Sequence, residues 1–184
     1  GNKGLYLLNK EAESIPAGSD GLIFLPYLSG ERTPHADPYA RGVFFGISYI
    51  HTQDHFVRSI MEGVAFSQLD CLSLMRKLNI VSDKIVLFGG GAKSKVWRQI
   101  ISDVMNARIV TLNVEEGPAY GAALIAGVGC GIYSSIEEAA GKTIKEANQI
   151  NPIEENVKKY EKLYKIYGSL YEDLKDDFEK LSHI

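Results

Sequence analysis

Apolar positions along the chain alternate between short unbroken runs and longer helical stripes. Gly21-Leu-Ile-Phe-Leu-Pro26 is a brief apolar run between turn residues, which predicts a strand, and Arg41-Gly-Val-Phe-Phe-Gly-Ile47 predicts a second. Leu28 to Tyr39 between them is polar and holds Pro34 and Pro38, so it reads as a loop. Thr52 is an N-cap type residue opening a long helix to about Leu78. Phe56, Ile60, Val64 and Cys71 fall on one side of that helix, and Met61, Leu69, Leu72 and Leu78 widen the stripe, so a heavily buried helix is expected.

Lys84-Ile-Val-Leu-Phe88 is continuous and apolar, the pattern of a strand inside a parallel sheet. A helix is expected from Lys95 to Met105 with Val96, Ile100, Ile101 and Val104 inward, then a strand Arg108-Ile-Val-Thr-Leu112. Pro118 opens an Ala-rich helix to about Val128, and Ser135 to Ala140 forms a short one. The last segment, Ile153 to about Lys180, is a charged helix. Val157, Tyr160, Tyr164, Tyr167, Tyr171, Leu174 and Phe178 recur at alternating spacings of 3 and 4, a single seam expected to dock onto the chain's own domain. Strands alternating with helices predict an α/β fold, a mixed sheet with helices on both faces.

Composition adds exclusions. With 20 Lys plus Arg against 23 Asp plus Glu in 184 residues, the net charge is −3, so no basic surplus is available for nucleic acid or an anionic membrane. The uncharged run from Gly117 to Ile136 contains five Gly and a Pro, which argues against a membrane span. Two cysteines, Cys71 and Cys130, make no disulfide framework; both are expected as packing residues, and a cytoplasmic location is expected. The chain begins at Gly1 without an initiator Met, which suggests a trimmed tag or a piece of something longer.

The densest chemical feature is Lys84-Ile-Val-Leu-Phe-Gly-Gly-Gly-Ala-Lys-Ser-Lys-Val-Trp97. A strand runs into Gly89, Gly90 and Gly91, and a helix starts near Ser94. Glycines let a ligand approach the backbone closely, and ligands of α/β sheets gather at the carboxyl ends of strands. A nucleotide site and a plain tight turn both fit. Neither familiar phosphate fingerprint is met: the dinucleotide pattern needs Gly where Ser94 stands, and Gly141-Lys142-Thr143 lacks its upstream glycine. His51 and His55 lie four apart at a helix start without a third metal ligand, so surface or capping roles are favoured. Glu31, Arg32, His35 and Asp37 share one loop and are read as loop-fastening groups before ligand contacts. No general base and no nucleophile with a nearby His is evident, which suggests half of an active site.

Gly42-Val-Phe-Phe-Gly-Ile47 followed by His55-Phe-Val-Arg-Ser-Ile-Met-Glu62 resembles the second signature of the FGGY carbohydrate kinases. The likeness extends over about Gly21 to Ala140. Leu25-Pro-Tyr-Leu-Ser-Gly-Glu-Arg-Thr-Pro-His-Ala-Asp-Pro38, Ala92-Lys-Ser-Lys-Val-Trp-Arg-Gln99 and Glu115-Glu-Gly-Pro-Ala-Tyr-Gly-Ala-Ala123 are most similar to the xylulose kinase branch, with the gluconate kinases as the near alternative. The resemblance implies a ribonuclease H-like, actin-like ATPase fold. Residues 1–184 would be the C-terminal nucleotide-binding domain, with the sugar and the catalytic Asp base belonging to a separate N-terminal domain. It further implies ATP with Mg²⁺ bound alongside it, a sugar substrate, and ATP contacts at Gly89, Gly90, Gly91 and Ser94, with no catalytic or metal-binding residue in this chain. The isolated chain is then expected to be inactive, and a homodimer of the whole enzyme stays open. The reading from another class is a free-standing actin-like module that binds a nucleotide or a partner without catalysis, motivated by the Tyr stripe.

Overall fold

A computed structural model describes residues 9–80, 82–114 and 117–184. The first two residues of the Glu115 motif therefore lie outside the described residues. The chain is built around helix α1, Gln53–Lys77. Thr52 starts it, and His55 in its first turn accepts a hydrogen bond from the Thr52 backbone N–H through Nδ1 at 3.1 Å, the place a Glu takes in a capping box. With Nδ1 an acceptor, Nε2 carries the proton and faces Asp20 Oδ2 at 3.2 Å.

The buried face of α1 is the expected one only in part: Met61 and Leu69 are buried. Ile60 and Cys71 are exposed, and Phe56 and Val64 are only half-buried. The core side instead carries Arg58, Ser59, Met61, Glu62, Gly63, Ala65, Phe66 and Leu69. An apolar stripe misplaces the helix because its central buried residues are an ion pair. Arg58 Nε donates to Glu62 Oε1 at 2.7 Å, one helical turn away, and the two side chains are 9% and 3% exposed. The remaining bonding capacity of the pair is taken up by other segments. Arg58 donates to Ala12 O at 3.0 Å and to Tyr160 Oη at 3.1 Å. Glu62 accepts from Gly18 N and Ser19 Oγ, each at 2.8 Å, and from Tyr160 Oη at 2.7 Å. Burial pulls Arg58 toward losing its proton, but Tyr160 and Glu62 outweigh it and hold the guanidinium above its ordinary range.

The turn that Glu62 grips is left-handed throughout: φ is +86° at Gly18, +47° at Ser19, +49° at Asp20 and +92° at Gly21. Two of these are not glycine, so the backbone there is held against its own preference by Glu62 and His55.

Strands β1, Ile23–Leu25, and β2, Val43–Phe45, pair antiparallel with Phe24 opposite Phe44. The first is wholly buried against α1. Gly63 allows that approach, since a Cβ there would lie 2.2 Å from Phe24 O. A second sheet has the order β3-β4-β5: β3, Lys84–Val86, runs parallel to β4, Arg108–Leu112, and β5, Glu146–Ile150, runs antiparallel to β4. The predicted α/β class with mixed pairing holds, but the strands divide into two small sheets. Strand β5 escaped the sequence reading because Glu-Ala-Asn-Gln-Ile is polar and exposed, and its pairing comes from the edge of β4.

Helix α2, Lys95–Met105, packs beside β4 with Ile100, Ile101 and Val104 buried as expected. Its Asp103, fully buried, accepts from Gln99 Nε2, from Ile153 N and from Asn156 Nδ2, all at 2.8 Å. Asp103 thereby caps the start of the last helix from a distance. Helices α3, Gly117–Gly129, and α4, Ile136–Thr143, pack on each other, the latter capped by Ser135. Among the described residues no helix is long and apolar enough to cross a membrane.

Helix α5, Glu154–Ser182, lays its seam on α2 and β1. Val157, Tyr160, Tyr167, Tyr171 and Phe178 are buried, and Tyr164 and Leu174 are half-buried, so the stripe docks on its own domain. The tyrosines suit the seam because each hydroxyl finds a partner: Tyr167 with Tyr27 at 3.1 Å, Tyr171 with Asp37 at 3.1 Å, and Tyr164 with Asp70.

Two outcomes test this core. Replacing Glu62 with Ala strands a buried guanidinium and should lower stability by about 3–5 kcal/mol in urea unfolding; a loss near zero would contradict the clamp. Burial together with a carboxylate neighbour pushes Tyr164 and Tyr171 up to about 12. A raised folded pKa means that the stabilisation is complete below the unfolded value near 10 and is lost as pH climbs through 12. Phenolate absorbance from these two side chains should therefore appear only with alkaline unfolding; their ionisation near 10 with the helix signal intact would count against the buried seam.

Candidate functional site

The ladder between β3 and β4 continues one residue past β3, with Leu87 N donating to Val110 O at 2.9 Å. The chain then turns at Gly89, whose φ of +81° and ψ of −164° belong to glycine alone. A single 3₁₀ turn, Gly90–Lys93, follows, closed by Ala92 N to Gly89 O and Ser94 N to Gly91 O, both 3.1 Å. Ser94 starts α2 by accepting from Trp97 N at 3.2 Å.

The three glycines differ in what holds them. Gly89 needs its backbone angle. Gly91 backs onto the Trp97 ring, where a Cβ would lie 3.2 Å from Cε3. Gly90 has neither constraint: its φ is not positive, and a Cβ there would meet nothing within 4 Å. It presents open backbone at the carboxyl end of a parallel strand. Ser94 stands where the turn passes into α2. It is 7% exposed, and its Oγ, besides capping α2, donates to Asn9 Oδ1 at 2.8 Å. Its hydroxyl is thus engaged within the chain, and its part at this site is to fix the helix start.

Beside the turn lies a cleft of ≈ 280 Å³ lined by Phe88, Gly89, Ala92, Arg98, Thr111 and Asn148, among others. Asn148 Nδ2 donates to Thr111 Oγ1 at 3.2 Å across its floor. Strand β5, which supplies Asn148, was invisible in the sequence, so this wall was missed there. Arg98 was missed because nothing in Trp97-Arg98-Gln99 distinguishes it from an ordinary surface position on a helix.

The loop from Ser29 to Pro38 borders a larger hollow of ≈ 430 Å³; Arg32 is exposed there, while Glu31, His35 and Asp37 are tied down. Glu31 Oε1 accepts from Thr33 N at 2.7 Å, Asp37 Oδ1 from Tyr39 N at 2.8 Å, and the His35 ring stacks on Tyr171 at 3.5 Å. The fastening role expected for Glu31, His35 and Asp37 holds. His55 is a helix cap, as expected, and His51 Nδ1 accepts from Ser48 N at 3.0 Å. Among the described residues no cluster of His, Cys, Asp and Glu could hold a metal ion. Both cysteines are exposed, contrary to the packing role expected of them: Cys71 sits on the outer side of α1 because the Arg58–Glu62 pair turns the other face inward, and Cys130 follows α3 in a surface turn.

Comparison with known proteins places this geometry. The C-terminal domain of the FGGY family of carbohydrate kinases matches residues 2–130. The xylulose kinase of Bacillus subtilis is 42% identical over 175 residues, covering 95% of this chain and 35% of that protein. The gluconokinase of the same organism is 33% identical over 177 residues, covering 96% and 34%. The crystal structure of xylulose kinase from Rhodospirillum rubrum superposes with a TM-score of 0.84 at 30% identity, covering 97% of this chain and 36% of that one. The chain thus spans about a third of the length of the relatives it matches. With its actin-like α/β fold and its glycine turn at the end of β3, this chain belongs to the FGGY family of carbohydrate kinases.

Proposed function

We propose that residues 1–184 are the C-terminal, nucleotide-binding part of a cytoplasmic ATP-dependent sugar kinase that phosphorylates a sugar hydroxyl, converting D-xylulose to D-xylulose 5-phosphate. The observation that carries the reading is the open backbone at Gly90, at the carboxyl end of a parallel strand in a chain of this family. Gly89, Gly90 and Gly91 lie against the phosphates and ribose of ATP, and Ser94 holds the helix start beside them. Higher identity to xylulose kinase than to gluconokinase, 42% against 33%, favours the pentulose over gluconate.

Phosphoryl transfer needs positioning and charge stabilisation more than covalent chemistry. A sugar hydroxyl gives its proton to the Asp base and attacks the γ-phosphorus in line as the bond to the ADP oxygen breaks, and Mg²⁺ arriving with the nucleotide would supply charge stabilisation there. This chain brings the nucleotide to a fixed place, while the Asp base and most sugar contacts belong to the rest of the polypeptide. Closure of the two parts excludes water. The non-catalytic reading loses its motive, because the Tyr stripe is covered by the chain's own core.

In the complete kinase, Gly90→Val should raise the Michaelis constant for ATP at least about tenfold and leave that for the sugar within about twofold; the reverse pattern would refute the assignment. The isolated 184-residue chain should transfer no phosphate to D-xylulose, and measurable product from it alone would overturn the division of the site.

A further inference from the structure

Arg98 is a charged group that the reading above leaves unused. It stands on α2 one turn beyond Ser94 and lines the cleft beside Gly89. Its Nε is buried and has no hydrogen-bond partner among the described residues. A cationic N–H withdrawn from water without an acceptor bears its full desolvation cost, so such groups call for an explanation. The buried carboxylate on the same helix does not supply one: Asp103 is occupied by Gln99, Ile153 and Asn156. The floor of the cleft adds a second donor. Thr111 Oγ1 already accepts from Asn148, which leaves its hydroxyl proton to donate. A cleft lined by a guanidinium-bearing residue and by a hydroxyl with a proton left to give suits a ligand rich in acceptor oxygens. A guanidinium matches phosphate in both charge and shape.

We propose that Arg98 holds a phosphate oxygen of the bound nucleotide, with Thr111 of β4 donating a second hydrogen bond to the same ligand. This rests on reading the Gly89–Gly91 turn as the nucleotide site. The test is calorimetric titration of the complete kinase with ADP and with adenosine, in wild type, Arg98→Met and Arg98→Lys. Methionine keeps much of the aliphatic stem's packing, and lysine keeps the charge without the planar fork. Arg98→Met should weaken ADP binding roughly tenfold to hundredfold and leave adenosine within about twofold. Arg98→Lys should show a smaller loss confined to ADP. Unchanged ADP affinity in whichever variant folds would overturn the role of Arg98 while leaving the nucleotide site standing. Equal losses for ADP and adenosine would overturn the phosphate contact. Wild-type protein that binds neither ligand would instead remove the nucleotide reading, and this inference with it.

Discussion

The buried Arg58–Glu62 pair is the constraint on which the rest of the structure depends. Two opposite charges one helical turn apart cancel, but the cancellation leaves hydrogen-bonding capacity that must be satisfied inside the core. Three other segments supply it: the stretch at Ala12, the turn at Gly18 and Ser19, and Tyr160 near the start of α5. Each joins elements far apart in sequence. The pair thereby fixes which face of α1 points inward, and so where β1 lies against Gly63. An apolar pair of the same volume would fill the space without dictating those partners.

From that frame the candidate site follows by placement. Helix α2 packs on α1 and sets the direction in which β3 delivers its glycine turn. The turn combines three local demands: a backbone angle open to glycine at Gly89, an unobstructed backbone at Gly90, and contact with an aromatic ring at Gly91. Ser94 then hands the chain to the helix. The cleft beside the turn draws its far wall from β4 and β5, so it depends on an antiparallel strand added after the parallel pair.

Much of this was legible along the chain, and the exceptions share a cause. Strands β1 to β4 were readable as short apolar runs between turn residues, and helix α2 by the spacing of its apolar side chains. The seam of α5 was readable for the same reason, tyrosines included. The inward face of α1 was misread in part because Arg58 and Glu62 look like solvent-facing charges until their partners, up to 102 residues away, are known. Strand β5 carries no local signal, since its pairing is a property of the neighbouring edge. The glycine turn stood out as a possible ligand site, yet Arg98 and Asn148, which form the adjoining walls, are ordinary residues made special only by tertiary placement. The engagement of Ser94 by Asn9, 85 residues earlier, is of the same kind.

Asp103 carries a consequence for how the chain is assembled. A helix whose apolar residues recur at alternating spacings of three and four can slide along a groove by seven residues and still present a similar face. Helix α5 is 29 residues long, ample for such a slip. Asp103 forbids it, because the carboxylate recognises the beginning of a helix through the Ile153 N–H and the Asn156 amide, and a helix has one beginning. The Tyr160 hydroxyl in the Arg58–Glu62 network adds a second fixed point. Two polar keys thus give an otherwise repetitive helix one seat, and uniqueness of the fold at this end of the molecule comes from hydrogen-bond geometry where the hydrophobic pattern alone is degenerate.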